Sequence, residues 1–252
     1  MVRKKVPMSL QLASTAMNAA VYAGVGALWT VFPITVYGIR FWPQVFVPAA
    51  FSVLFGPWTG GVGAAVGIFI ADVIYGHHDA LLSLLVGVPS NFLGFFIIGW
   101  LSNRKQCSAT RRTLIIASLL IPIILTGYGI YLVAGPTLFE SAQLLVAFVG
   151  LIVVIVILGL TVIRNKWAIF EAAASIGLGI GSFIIGVGLV AYSAVFTLPA
   201  VVGKGPFPVS VIYAATTFTY MSEIPFLILL TPPIVAACRA AFPSLRAEPS
   251  TS

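Results

Sequence analysis

The chain has 252 residues, of which 60% are hydrophobic and only 8% are charged. Soluble domains usually carry about 25% charged residues, so this composition cannot supply a water-facing surface. The sequence therefore predicts an integral membrane protein. It excludes a soluble enzyme, a nucleic-acid binder and a disordered chain.

The apolar segments are long and unbroken, as in the run 144–163. Only helices and closed barrels satisfy every backbone hydrogen bond in lipid, and barrel strands would alternate apolar and polar residues over about ten positions. A helix that spans the membrane needs about 20 residues. We therefore predict an all-α polytopic membrane protein, a bundle of six to eight transmembrane helices in a single domain, 1–252.

In chain order, the apolar segments predict eight spans. Polar loops separate most of them, and glycine and proline at 56–60 predict a tight turn between the second and third. The predicted spans are about 10–32, 45–55, 61–75, 80–101, 114–133, a sixth that ends near 163, 168–196 and 209–237.

The basic residues are divided unevenly between the two sides that eight spans define. Of the 13 lysines and arginines, only Arg40 and Lys204 lie on the side opposite the N-terminus. Cytoplasmic loops carry an excess of basic residues, so we predict a cell-membrane protein with both termini in the cytoplasm. The net charge of +7 is then a topology signal, and no nucleic-acid partner is expected.

Several chemistries lack their motifs in this sequence. There is no GxxxxGK[ST] phosphate loop and no HExxH zinc motif. The two histidines, His77 and His78, are adjacent in a predicted loop, which excludes a haem-binding bundle, and no lysine falls within a span to hold retinal. Cys107 and Cys238 do not form a CxxC pair. We therefore expect no enzymatic activity, no cofactor and no metal site.

Acidic side chains inside apolar spans are functional candidates, because a charge near the bilayer centre costs about 2.5–3.5 kcal/mol on insertion scales. Asp72 lies near the outer end of the third span, and Glu223 lies near mid-membrane in the eighth. Glu171 begins the seventh span, where a positive helix end favours a structural role. Thr216, Tyr220 and Glu223 share one helix face. They predict either a polar stripe that lines a pocket or an interhelical hydrogen-bond cluster.

Other candidate substrate contacts lie toward the outer side. Arg40, Trp42 and Gln44 follow the first span, where an aromatic ring beside a cation can cover a polar ligand; alternatively, Trp42 is an interfacial anchor. His78 is either a substrate contact or part of a solvated turn. Asn91 follows a proline, and it either satisfies the backbone groups that the proline frees or faces a cavity.

Small residues spaced four apart let helices approach closely. They are Gly63 and Gly67 in the third span, Gly177 and Gly181 in the seventh, and Ala16, Ala19, Ala20 and Ala23 in the first. For the glycines we predict packing inside the protein. The flat alanine face of the first span suits either packing against the protein's own helices or docking of another subunit.

The stretch 41–101 contains FWPQVFVPAA at 41–50, LFGPWTGGVGAAVG at 54–67 and IAD at 70–72. A short helix, a Gly-Pro-x-x-Gly turn, a glycine-rich helix and an outer-end aspartate resemble the substrate-binding (S) component of energy-coupling-factor (ECF) vitamin transporters. The resemblance covers about 100 residues, 10–102. The family usually has six helices, so the further helices at about 113–237 depart from its pattern.

The resemblance implies a subunit that binds a small vitamin-like molecule from outside while separate ATPase subunits supply the energy. In that family an Ala-xxx-Ala face on the first helix docks against a transmembrane coupling subunit. The matching residues here are Ala16 and Ala20, or Ala19 and Ala23. Two alternatives remain: a non-catalytic structural subunit of a larger membrane complex with an S-component-like fold, and an ion-coupled carrier that uses Glu223.

Overall fold

The computed structural model describes residues 7–31, 34–104, 106–133 and 165–242, with positions 150, 152, 153, 155, 156 and 159. The predicted sixth span therefore lies almost entirely outside the described residues. The main helices of the described residues are α1 Met8–Gly26, α2 Phe46–Phe55, α3 Pro57–Tyr75, α4 Ala80–Ser102, α5 Ser108–Val133, α6 Ala168–Val195 and α7 Ser210–Ala241.

Five helices of the described part, α3 to α7, are long and apolar enough to cross a membrane. This agrees with the predicted helical, membrane-spanning architecture. The total of six to eight spans stays a prediction. The helix α2 has only 10 residues, about 15 Å at 1.5 Å per residue, and so reaches partway across a bilayer.

The predicted tight turn at 56–60 is wrong, because α3 already begins at Pro57. Gly56 alone reverses the chain, with φ of 110°, a conformation that glycine adopts without steric cost. Pro57 then suits the first helical position, where its missing N–H is not needed. Gly60 serves packing instead, since a Cβ there would overlap Ser52 of α2.

A short β-hairpin follows α1 in the region predicted to be an irregular polar-aromatic stretch. Its strands β1 Thr35–Val36 and β2 Ile39–Arg40 pair antiparallel. The turn residues Tyr37 and Gly38 have φ of 51° and 75°, and two positive φ values define a type I′ turn. The all-α prediction therefore misses this pair of strands.

Small residues bring the helices of the core together. A Cβ on Gly177 of α6 would lie 2.5 Å from the carbonyl oxygen of Gly94 in α4, and one on Gly67 of α3 would lie 2.9 Å from that of Ala19 in α1. Between α1 and α3, the buried Asn18 amide also donates to the Thr59 carbonyl at 3.0 Å. These contacts confirm the predicted internal packing of the glycines.

The loops gather at two ends of the bundle. At the end that carries the hairpin, Arg40 donates to the Tyr75 carbonyl, and the rings of Tyr37 and Phe207 lie 5.3 Å apart. At the other end, Asn103 after α4 donates to the Ser52 carbonyl at 2.9 Å. The 19 residues of α3 separate these ends by about 28 Å.

Candidate functional site

A cavity of about 120 Å³ lies between α1, α3, α4, α6 and α7 and beneath the hairpin. For comparison, an engineered apolar cavity of about 150 Å³ accommodates benzene. The cavity walls are mainly apolar, with a few polar groups, which is typical of small-molecule sites. The apolar lining includes Ile68, Val86, Phe95, Ile98, Leu178, Ile185 and Leu189.

Charged groups from three segments meet at the hairpin end of this cavity. The Arg40 guanidinium carbon lies 5.3 Å from the ring centroid of Trp42. Asp72 Oδ2 accepts a hydrogen bond from Ser83 Oγ at 2.7 Å and lies 3.6 Å from Nε2 of His77. Partial burial lowers the pKa of the Arg40 guanidinium, and the nearby Asp72 carboxylate acts in the opposite direction.

The tautomer of the neutral His77 ring follows from its backbone contact. Its Nδ1 accepts a hydrogen bond from the N–H of Asp79 at 3.1 Å. The proton of the neutral ring therefore sits on Nε2, the nitrogen that faces Asp72. The loop 76–79 is thus held toward the carboxylate at the cavity wall.

Asp79 ties this loop to two helices. Its Oδ1 accepts from the N–H groups of Leu81 and Leu82 at the start of α4, and its Oδ2 accepts from the Tyr192 hydroxyl of α6 at 2.9 Å. Burial raises the pKa of Asp79, but these hydrogen bonds outweigh it and the pKa is lowered overall.

At the deep end of the cavity lies the carboxyl of Glu223, which is only 6% exposed. Glu223 is 13 residues into α7, about 20 Å from its start. No described residue hydrogen-bonds or ion-pairs with this carboxyl. Thr219 and Ser182 also line the cavity, and their hydroxyls are buried without a hydrogen-bond partner in the described part of the chain.

Between the two ends, Tyr22 and Asn91 connect α1 to α4. The Tyr22 hydroxyl donates to Asn91 Oδ1 at 2.8 Å, and Asn91 Nδ2 donates to the Gly87 carbonyl at 3.0 Å. The segment Ser83–Gly87 just before Asn91 is a π-helical turn, a distortion that is frequent at functional sites.

Five of the nine candidate substrate contacts line the cavity: Arg40, Trp42, Asp72, Asn91 and Glu223. The structure brings them together from four separate segments. As substrate contacts they stay predictions.

Two residues of the predicted polar stripe on α7 face other helices. The Tyr220 hydroxyl lies 2.6 Å from Ser175 Oγ of α6. Thr216 donates to the Ile212 carbonyl of its own helix at 2.6 Å, and its hydroxyl also lies 3.4 Å from the Ser182 carbonyl of α6. These two positions therefore match the alternative of an interhelical hydrogen-bond cluster. Glu223 shares the cavity wall with Thr219 instead.

Gln44 and His78 also lie away from the cavity wall. Gln44 is fully buried beside Gly26 at the end of α1. His78 is exposed, with φ of 57°, and its Nδ1 lies 2.8 Å from the Val73 carbonyl at the end of α3. The third interior acid, Glu171, is buried in α6 and does not line the cavity.

Six polar residues that line the cavity were not among the candidate substrate contacts, namely Tyr22, Tyr37, His77, Ser90, Ser182 and Thr219. Thr219 could have been predicted from the sequence, since it lies one helical turn before Glu223 on the same helix face. Tyr22 could not, because its partner Asn91 is 69 residues away in the chain.

The alanines of α1 separate into two faces. Ala19 and Ala23 are each 5% exposed and belong to the side that packs on α3. Ala16 and Ala20 are exposed, as is Gly24, and no residue of the described part lies within 4 Å of the Gly24 Cβ position. One Ala-xxx-Ala pair is thus internal, and the other faces outward.

Comparisons with protein-family models, curated proteins and solved structures gave no significant match. Within the described residues, no group of three or more His, Cys, Asp or Glu side chains is placed to hold a metal ion.

Proposed function

We propose that this chain is the membrane-embedded substrate-binding subunit of a vitamin or micronutrient uptake transporter, energised by separate ATPase subunits. The observation that carries the proposal is the cavity, whose apolar walls enclose a small number of polar groups. The resemblance of 10–102 to the S component of ECF transporters supports the same function.

The hairpin suits the role of a cover over the cavity. Gly38 at its turn packs against Val202 of the loop that joins α6 to α7, where a Cβ would lie 2.6 Å from Val202 Cγ2. With both termini in the cytoplasm, the hairpin end faces outward, as uptake requires.

A coupling subunit would dock on the exposed face of α1. Ala16, Ala20 and Gly24 leave this face flat, so a second helix can approach its backbone closely. The pair Ala19 and Ala23 is buried on the side that packs on α3, so we propose the Ala16 side for docking.

One observation favours a second function, an ion-coupled carrier. Glu223 is a buried membrane carboxyl with no cation among the described residues, and such groups form proton relays in transporters. A purely structural subunit is less well supported, since it would not need a cavity lined by a buried carboxyl that has no partner among the described residues.

Mass spectrometry of small molecules that co-purify with the protein tests the proposal. We expect one compound to be enriched over membranes that lack the chain. Uptake of that compound should need ATP and the partner subunits. Uptake by the chain alone, driven by a proton gradient and abolished in Glu223→Gln, would contradict the ATPase-coupled function and support the carrier.

A further inference from the structure

The charges around the cavity are not balanced along its length. At the hairpin end, Asp72 lies beside His77, and its carboxylate electrostatically favours the charged form of Arg40. Arg40 is the only lysine or arginine among the described residues that line the cavity. At the deep end, Glu223 therefore faces the cavity without a neighbouring cation from the described part of the chain.

A buried carboxylate without a partner is costly, because removing an ion from water carries an effective penalty of several kcal/mol. Ser182 and Thr219, which line the same cavity, also have buried hydroxyls without a described partner. Buried polar groups are almost always hydrogen-bonded. The carboxyl of Glu223 in the cavity wall therefore points to a molecule that completes it when it binds.

Aromatic rings add a second preference for positive charge. Tyr22 lines the cavity between Trp42 and Phe95, with ring centroids 6.2 Å and 6.1 Å away in edge-to-face arrangements. Aromatic faces attract ligand cations electrostatically, and the attraction strengthens when the cation is desolvated.

We propose that the cavity binds a small organic cation, an amine or azolium on a ring-sized apolar body, with its positive charge against Glu223. The inference rests on the proposed substrate-binding function and names its substrate class. The apolar walls at Ile98 and Leu178 suit the body of such a ligand. A bare metal ion suits the site less well, because Glu223 is not joined by other acidic, histidine or cysteine ligands in the described residues.

The test compares benzylamine, benzyl alcohol and benzoate, which share a ring of benzene size and differ in charge. Their affinities are measured by ligand-observed NMR on the full-length chain in detergent. We expect benzylamine to bind at least tenfold more tightly than the other two. In Glu223→Gln this preference should vanish, whereas Glu171→Gln, a change at a buried acid away from the cavity, should keep it.

Equal binding of benzyl alcohol and benzylamine to the unaltered chain, or an undiminished preference in Glu223→Gln, would overturn the cation inference and leave a substrate-binding function intact. If none of the probes binds and no small molecule co-purifies, the proposed function fails as well. The comparison on the unaltered chain decides the question even where Glu223→Gln does not fold.

Discussion

At the residue scale, the cavity depends on polar side chains that pair across helices distant in sequence. Tyr22 and Asn91 form one such pair, and their hydrogen bond fixes α1 against α4 at the cavity wall. Sequence periodicity identified Asn91 and Glu223, because a polar residue in an apolar span is conspicuous. It left open whether Thr216 and Tyr220 line a pocket or join helices, because the direction of each side chain depends on which helix packs alongside.

Removal of the Tyr22 hydroxyl should lower the stability of the protein, because the hydrogen bond to Asn91 is lost. In Tyr22→Phe, the half-buried Asn91 Oδ1 loses its donor, and we expect a cost at the lower end of the about 1–3 kcal/mol that an unsatisfied buried acceptor carries. We expect a lower melting temperature and weaker binding of the co-purifying compound. Tyr37→Phe, at an exposed phenol in the hairpin turn, should leave the melting temperature unchanged. Equal stability of the two variants would contradict a stabilising role for the bond.

Asp79 should stabilise the start of α4. Asp79→Ala removes the acceptor for two backbone N–H groups and for Tyr192. Loss of a helix N-cap costs about 1 kcal/mol. Asp79→Asn keeps a capping oxygen and should lose less, as read from thermal unfolding.

The sign of the pH effect at Asp79 follows from its lowered pKa. The stabilisation is present above the pKa of the unfolded chain, about 3.9, and is lost as the pH falls through the folded value. Asp79→Ala should therefore differ from the unaltered chain near neutral pH, and the difference should shrink in strong acid. A difference that grows in acid would contradict this assignment.

At the scale of elements, most helices were predictable and their contacts only partly so. The observed bounds of α6 and α7 lie within about four residues of the predicted spans, because long apolar runs admit few alternatives in lipid. The start of α3 was not predictable, since Gly-Pro suits both a turn and a helix N-terminus. The hairpin was missed because each strand has only two residues.

The crossing of α4 and α6 should depend on Gly177. In Gly177→Ala the new methyl group would lie 2.5 Å from the Gly94 carbonyl, and overpacking typically costs about 1–3 kcal/mol. Gly127→Ala is the matched control, because no described residue lies within 4 Å of its Cβ position and alanine favours a helix. We expect a lower melting temperature only for Gly177→Ala. A similar loss in both variants would argue against close packing at this crossing.

At the scale of the whole molecule, the proposed function needs one surface for a partner and one interior site for a ligand. The two alanine pairs of α1 allow the partner surface and the interior packing to be tested separately. Ala20 is exposed, whereas Ala19 packs toward α3.

Ala20→Leu should disrupt assembly with a coupling subunit and leave the isolated chain stable, since it adds three heavy atoms where two backbones would meet. Ala19→Leu should instead lower the melting temperature through internal overpacking. Co-purification with the partner and thermal unfolding of the isolated chain separate the two effects. Intact assembly in Ala20→Leu would contradict docking on this face.

The central claim is that the cavity beneath the hairpin holds the substrate. Ser182→Leu places a larger side chain on the buried cavity wall. The most direct measurement is the ratio of co-purifying compound to protein, by mass spectrometry, in the unaltered chain and in this variant. We expect a near-stoichiometric ratio in the unaltered chain and a loss of at least tenfold in a folded Ser182→Leu. An equal ratio in both proteins would contradict the cavity as the substrate site.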